Sequence, residues 1–121
     1  MTTEPDPLDM QIVDELRESV GGDQAFLAEL IDEFVEDAPR QLVALRDAAA
    51  AGDAETARRA AHTLKSNART FGASTLSSLT QQTEAAAAGG DLESVLSMLG
   101  PIEAAWTEAQ AALVATRDGS S

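Results

Sequence analysis

Hydrophobic residues in this chain recur every three or four positions, which is the spacing of one face of an α-helix. The clearest example follows Asp23, where Phe26, Leu30 and Phe34 are spaced four residues apart. No window alternates between apolar and polar residues as a half-buried strand does. The composition agrees, because Ala, Leu, Glu, Gln and Arg dominate while Ile, Val and aromatic residues are scarce. The pattern predicts an all-α protein.

Glycine-containing turns divide the chain into segments. A glycine ends a helix at low cost in the left-handed conformation, and an aspartate after it caps the next helix. Glycine precedes aspartate at positions 21–23, 52–53 and 89–91, and Gly72 provides a further break. Cutting there gives five predicted helices, at about residues 7–20, 24–51, 53–71, 74–88 and from 91 onward.

The proline positions add detail to these helices. Asp6 is the predicted N-cap of the first helix, with Pro7 at its first helical position. Pro39 should kink or interrupt the second helix, because proline lacks the backbone N–H that a helix interior uses. Gly100 and Pro101 should bend the last helix.

Long helices joined by short loops predict an up-down antiparallel four-helix bundle with an additional short N-terminal helix. The length of 121 residues fits one domain, spanning residues 1–121 with a core over about 8–116. We expect frayed ends at 1–5 and 118–121. Phe34 and Trp106 are the expected aromatic anchors of the core.

Composition excludes several classes of protein. Without cysteine there is no disulfide framework, thiolate zinc site or cysteine nucleophile. A net charge of −13 argues against nucleic-acid and anionic-membrane binding, which need clustered positive charge. No apolar stretch is long enough to cross a bilayer, and the acidic N-terminus lacks the features of a signal peptide. We expect a soluble, cytoplasmic protein.

The charges are distributed unevenly. Residues 1–55 have a net charge of −12 and residues 84–121 a net charge of −5. Residues 56–83 contain no acid and four bases, for a net charge of +4, together with the only histidine, His62. This basic segment is the strongest anomaly in the sequence.

A helical wheel for the third helix separates a buried face from a charged one. The predicted buried stripe consists of Ala57, Ala60, Ala61, Leu64, Ala68 and Phe71. His62 falls on the solvent side, near Arg58, Lys65, Ser66 and Arg69. The imidazole is therefore predicted to be exposed among cations.

Several functions are compatible with a lone exposed histidine. Most such residues are incidental, and a basic run is usually a solvated face. A metal site is disfavoured, because no second histidine or cysteine is present. A metal-dependent hydrolase of bundle type would need Glu-x-x-His pairs, and none occurs. The lack of acids over 28 residues favours a phosphoryl carrier, in which the imidazole is a nucleophile and its neighbours neutralise the phosphoryl oxygens.

The residues from His62 to Ala73, HTLKSNARTFGA, resemble the signature of histidine-containing phosphotransfer (HPt) domains, roughly H-x-L-K-G-[SA]-[SA]-x-x-[LVF]-G-A. The likeness extends over about residues 8–115. It includes FVEDAP at 34–39, Leu76, Leu79, Glu84 and the turn at 90–92. The chain departs from the pattern at Ser66, where glycine is usual, at Asn67, where serine or alanine is commoner, and at Thr83, where leucine usually precedes the acid.

The resemblance implies a phosphorelay intermediate without kinase activity of its own. His62 would accept a phosphoryl group on Nε2 from the aspartate of one response-regulator receiver domain and pass it to another receiver. Lys65 would neutralise phosphoryl oxygens, and Glu84 would bond the inner ring nitrogen and fix the tautomer. Ser66 would lie where the partner approaches. Arg58 and Arg69 flank the site by the helical wheel alone, and the basic face complements the acidic pocket of the receiver.

The same resemblance names the partners and the cofactor. The expected partners are receiver domains, a hybrid histidine kinase, or both, with no nucleic acid and no membrane. The chain itself needs no cofactor, since Mg²⁺ would come from the receiver. We expect a monomer, because the surface around His62 must stay open. The alternative is a helical docking module that binds a receiver or histidine kinase without carrying phosphate.

Overall fold

A computed structural model describes residues 7–119 and contains five helices within that range. They are α1 (Met10–Ser19), α2 (Gln24–Ala51), α3 (Ala54–Thr70), α4 (Ser74–Ala88) and α5 (Leu92–Arg117). Helix α2 packs against α3 and α5, and α4 packs against the same two helices, so the four long helices close into a ring. Short loops join successive neighbours in this ring. The fold is an up-down four-helix bundle, and the short α1 packs against α2.

Aspartate caps confirm the predicted starts of three helices. Asp23 accepts a hydrogen bond from the backbone N–H of Phe26 at 3.1 Å. Asp53 does the same for Thr56 at 3.1 Å, and Asp91 for Ser94 at 3.1 Å. Each bond satisfies a backbone donor that the first helical turn leaves without a partner.

The predicted start of α1 is wrong. Asp6 lies outside the described residues, and the helix begins at Met10 with Asp9 as its N-cap, three residues later than expected. The carboxylate of Asp9 accepts from the backbone N–H of Gln11 at 3.0 Å. Its own N–H donates to the carbonyl of Gly72 at 2.7 Å. This long-range bond ties residue 9 to the turn between α3 and α4, so the helix starts only after it.

Proline interrupts neither of the two long helices that contain it. Helix α2 continues through Pro39, and α5 continues through Pro101. Each proline removes only one backbone donor, and buried neighbours such as Ala38 and Ile102 hold the helix against the core. The interruption considered for α2 is therefore absent, whereas the bend expected in α5 stays a prediction.

The predicted core is confirmed. All six residues of the stripe assigned to α3 and its end are buried, namely Ala57, Ala60, Ala61, Leu64, Ala68 and Phe71. Phe34 stacks on Phe71 with ring centroids 5.1 Å apart and meets Trp106 edge-on at 5.0 Å. The aromatic cluster joins α2, α5 and the end of α3 into one core.

The ends of the chain are only partly described. Residues 1–6 and 120–121 lie outside the described range, so fraying there stays a prediction. Asp118 is the C-cap of α5, and its backbone N–H donates to the carbonyl of Val114 at 3.0 Å. No helix within residues 7–119 is long and apolar enough to span a membrane.

Candidate functional site

Helix α3 places His62 on the outside of the bundle. Its flanking residues Ala61 and Leu64 are buried, whereas the His62 side chain is 54% exposed. Ala61 and Leu64 pack into the core because they belong to the apolar stripe of the helix, and this fixes the rotation of α3. The histidine predicted to face solvent does so.

Glu84 on α4 joins His62 and Lys65. Its Oε2 atom lies 2.8 Å from Nδ1 of His62, and its Oε1 atom lies 2.6 Å from Nζ of Lys65. The side chains of Glu84 and Lys65 are only 19% and 15% exposed, so both lie beneath the histidine at the contact between α3 and α4. These three residues, which the sequence places on two helices, form one hydrogen-bonded cluster.

The carboxylate of Glu84 sets the proton position on the imidazole. The hydrogen bond from Lys65 lowers the pKa of Glu84 below its ordinary value of 4.5, and the bond from His62 lowers it further, outweighing the effect of burial. An ionised carboxylate only accepts hydrogen bonds, so Nδ1 must carry the proton. In the neutral ring the free lone pair is then on Nε2, with which no residue within 7–119 forms a hydrogen bond.

The structure pairs Lys65 with Glu84, whereas the sequence analysis assigned Lys65 to the phosphoryl oxygens. In the described part of the chain its ammonium group binds Glu84 and has no hydrogen bond with the imidazole. Lys65 thus neutralises the carboxylate that orients His62. Its assignment to phosphoryl oxygens stays a prediction.

The two arginines predicted near the site have separate partners. Arg58 forms a two-point contact with Glu55, at 2.6 and 3.2 Å. Arg69 donates to Oε1 of Gln81 on α4 at 3.0 Å. Ser66 is exposed one turn after His62.

The basic segment is therefore less positive in the folded protein than its sequence indicates. Glu55 and Glu84 lie just outside the segment along the chain, yet Glu55 pairs with Arg58 and Arg59, and Glu84 pairs with Lys65. Glu55 is three residues before Arg58, a spacing that predicts such a pair on a helix. Gln81 was not anticipated, although it lies three residues before Glu84 and hence on the same face of α4.

The described residues show no metal centre. Within 7–119, no group of three or more histidine, cysteine, aspartate or glutamate side chains is arranged to hold a metal ion. The chemistry that the cluster supports is that of a solvent-facing nitrogen nucleophile with a fixed tautomer.

The chain is similar in structure to a known phosphotransfer protein. Its fold matches the crystal structure of histidine-containing phosphotransfer protein B from Pseudomonas aeruginosa PAO1 with a TM-score of 0.86. The match covers 98% of this chain and 100% of that one at 24% sequence identity, which supports a common fold. Among curated protein sequences, none matches this chain significantly.

The sequence itself identifies the family. The family model of the Hpt domain matches residues 29–115, which include His62, Lys65 and Glu84. That range covers well over half of the chain. The protein belongs to the Hpt domain family.

Proposed function

We propose that the protein is a phosphorelay intermediate that carries a phosphoryl group on Nε2 of His62. Membership of the Hpt domain family supports a role in histidine phosphotransfer. The observation that carries the proposal is the bond between Nδ1 and Glu84 at 2.8 Å on a histidine that is 54% exposed. In the neutral imidazole this bond leaves the other ring nitrogen with a free lone pair that is accessible to a partner protein.

The transfer needs no proton to leave the imidazole. The lone pair on Nε2 attacks the phosphorus of an aspartyl phosphate, the P–N bond forms and the acyl P–O bond breaks. The receiver carboxylate is the leaving group. Because Nδ1 keeps its proton, the phosphorylated ring is cationic, and the adjacent carboxylate of Glu84 offsets that charge.

Transfer from His62 to the second receiver uses the same atoms of the imidazole. An aspartate of the second receiver attacks the phosphorus, and the ring leaves as neutral imidazole with its proton still on Nδ1. Glu84 stabilises the ring in both states, because its carboxylate accepts the same hydrogen bond throughout. Lys65 keeps this carboxylate ionised, and it is the candidate for contact with phosphoryl oxygens.

The proposed partners are receiver domains, and we assign no kinase activity to the chain. The receiver would supply Mg²⁺ from its own acidic pocket, as phosphoryl transfer commonly requires. The exposed arginines that border His62 complement such a pocket. Arg59, whose side chain is 67% exposed, lies 3.9 Å from the carboxylate of Glu55 and is accessible to a partner.

The test is phosphoryl transfer from a panel of phosphorylated receiver domains to the wild type and to His62→Gln. Glutamine is polar and similar in size, and the exposed position tolerates it without affecting the core. We expect an acid-labile, alkali-stable label on the wild type and none on H62Q. If receivers bind the wild type but never label it, the protein is a docking module instead.

A further inference from the structure

A cleft of about 370 Å³ lies between α2 and α3, on the opposite flank of α3 from Glu84. Its apolar surface comes from Leu30, Phe34 and Phe71, and the rings of the two phenylalanines stack at 5.1 Å. The cluster of His62, Lys65 and Glu84 lies on the side of α3 that faces α4. Neither the hydrogen-bonding network of the histidine nor the proposed chemistry uses this cleft.

Two carboxylates border the cleft on the α2 side. Glu33 is exposed, and Asp37 is half-buried and accepts a hydrogen bond from Gln41 at 3.3 Å. In the part of the chain that the structure describes, neither forms an ion pair with a lysine or arginine. The cleft thus combines an apolar floor with two carboxylates that have no cationic partner.

This combination fits one kind of side chain. Lysine and arginine pack their methylene groups against apolar surface while the charged end stays with polar groups. An acidic side chain would meet repulsion from Glu33 and Asp37, and a purely apolar one would leave both carboxylates without a partner.

The cleft is close enough to His62 to lie in the same interface. Asn67 and Thr70 line it from α3, five and eight residues beyond the histidine. At 1.5 Å per residue they are about 8 and 12 Å away along the helix axis. A typical protein interface buries about 800 Å² on each partner, which is wide enough to cover both features.

We propose that the cleft receives a lysine or arginine side chain of the receiver domain and so selects the partner and its orientation. The inference depends on the proposed function, because the occupant belongs to the receiver that reaches His62. The docking surface then has a basic flank on the α4 side of α3, with Arg58 and Arg69, and an acidic flank at the cleft. A receiver with the opposite arrangement of charges is rejected by repulsion on both flanks.

The test measures the affinity of the receiver that labels the wild type fastest in the panel. Glu33→Lys should raise its Kd about tenfold, because a rim attraction becomes a repulsion. Thr70→Lys should also raise the Kd, because it places a cation at the exposed α3 side of the cleft, where it would repel the cation of the receiver. Both substitutions are at exposed positions, so the thermal unfolding midpoint should stay near that of the wild type.

Glu108→Lys is the matched control. Glu108 is an exposed glutamate without an ion pair among the described residues, and it lies on α5, which packs against α2 and α4. The substitution makes the same change in net charge and should leave the Kd within about twofold. Equal affinities of E33K and E108K for a receiver that labels the wild type would overturn the inference.

A second readout separates docking from chemistry. Phosphoramidate donates its phosphoryl group to an imidazole nitrogen with loss of ammonia, and it is too small to contact the cleft and His62 together. E33K, T70K and E108K should all be labelled by phosphoramidate at the wild-type rate. A slower rate for E33K and T70K alone would overturn the docking role. Failure of every receiver to label the wild type would instead refute the proposed function.

Discussion

The two halves of the bundle use side chains of different size. Helices α2 and α5 bury large residues such as Leu27, Ile31, Phe34, Ile102 and Trp106. The buried residues of α3 and α4 are mostly alanine and threonine. The backbones of these two helices lie close together over a longer stretch than those of any other pair of described helices. The small-residue half contains His62 and Glu84, and the large-residue half contains most of the bulky core.

This difference separates stability from function. Large buried side chains provide most of the free energy of folding, because it scales with the apolar area removed from water. Small buried side chains let α3 and α4 approach closely, which allows the short side chain of Glu84 to reach Nδ1 at 2.8 Å. The large-residue half should therefore be destabilised by substitutions that remove side-chain atoms. The small-residue half should be destabilised by substitutions that add them.

Phe34→Ala should give the largest loss of stability. The side chain is 2% exposed and contacts two aromatic rings, so its removal should lower the free energy of unfolding by about 3–5 kcal/mol. Phe26→Ala is the matched control on the same helix, since Phe26 is 47% exposed and should cost less than about 1 kcal/mol. Urea unfolding measures both. Equal losses for the two variants would contradict the assignment of the core.

Gly72→Ala tests whether the turn between α3 and α4 tolerates one added methyl group against the segment that precedes α1. Gly72 has φ +74°, and a Cβ there would lie 2.8 Å from the carbonyl oxygen of Asp9. We expect a loss of about 2–3 kcal/mol, from the strained backbone and the clash together. Gly90→Ala is the control, because Gly90 has φ +76° with nothing within 4 Å, and it should cost only about 1 kcal/mol. If thermal unfolding shows the same loss for both, the close approach to Asp9 is unimportant.

Glu84→Gln should have the smallest effect on stability, and that effect should depend on pH. The pKa of Glu84 is lowered by Lys65 and then by His62, so ionised Glu84 stabilises the folded state fully above its ordinary value of 4.5. The contribution is lost as the pH falls through the lower pKa of the folded state. The free energy of unfolding of the wild type should exceed that of E84Q by about 1 kcal/mol at pH 7 and by less at pH 3. A difference that is the same at both pH values in denaturant unfolding would contradict the contact.

Most of the fold could be predicted from local signals. The starts of α2, α3 and α5 follow from Asp23, Asp53 and Asp91, whose capping needs only neighbouring residues. The start of α1 could not be predicted in this way, because Asp9 is held by a bond to Gly72, which is 63 residues away. The interruption considered at Pro39 is absent for a related reason, since packing against the core outweighs the loss of one hydrogen bond.

The site was predictable along one helix and less so between helices. The exposure of His62 follows from the periodicity of α3 alone. The bond between Lys65 and Glu84 depends on how α3 and α4 are rotated relative to each other, which the sequence does not specify locally. The α2–α3 cleft was missed, although the spacing of Phe26, Leu30, Glu33 and Asp37 places them on one face of α2.

The central claim is that Glu84 leaves Nε2 of His62 as the nitrogen that accepts the phosphoryl group. The most direct measurement is ¹H–¹⁵N and ³¹P NMR of the ¹⁵N-labelled protein after phosphorylation, which identifies the ring nitrogen bonded to phosphorus. We predict a phosphoryl group on Nε2 and a proton retained on Nδ1. A phosphoryl group on Nδ1 would contradict the account, because that nitrogen donates to Glu84 in the folded protein.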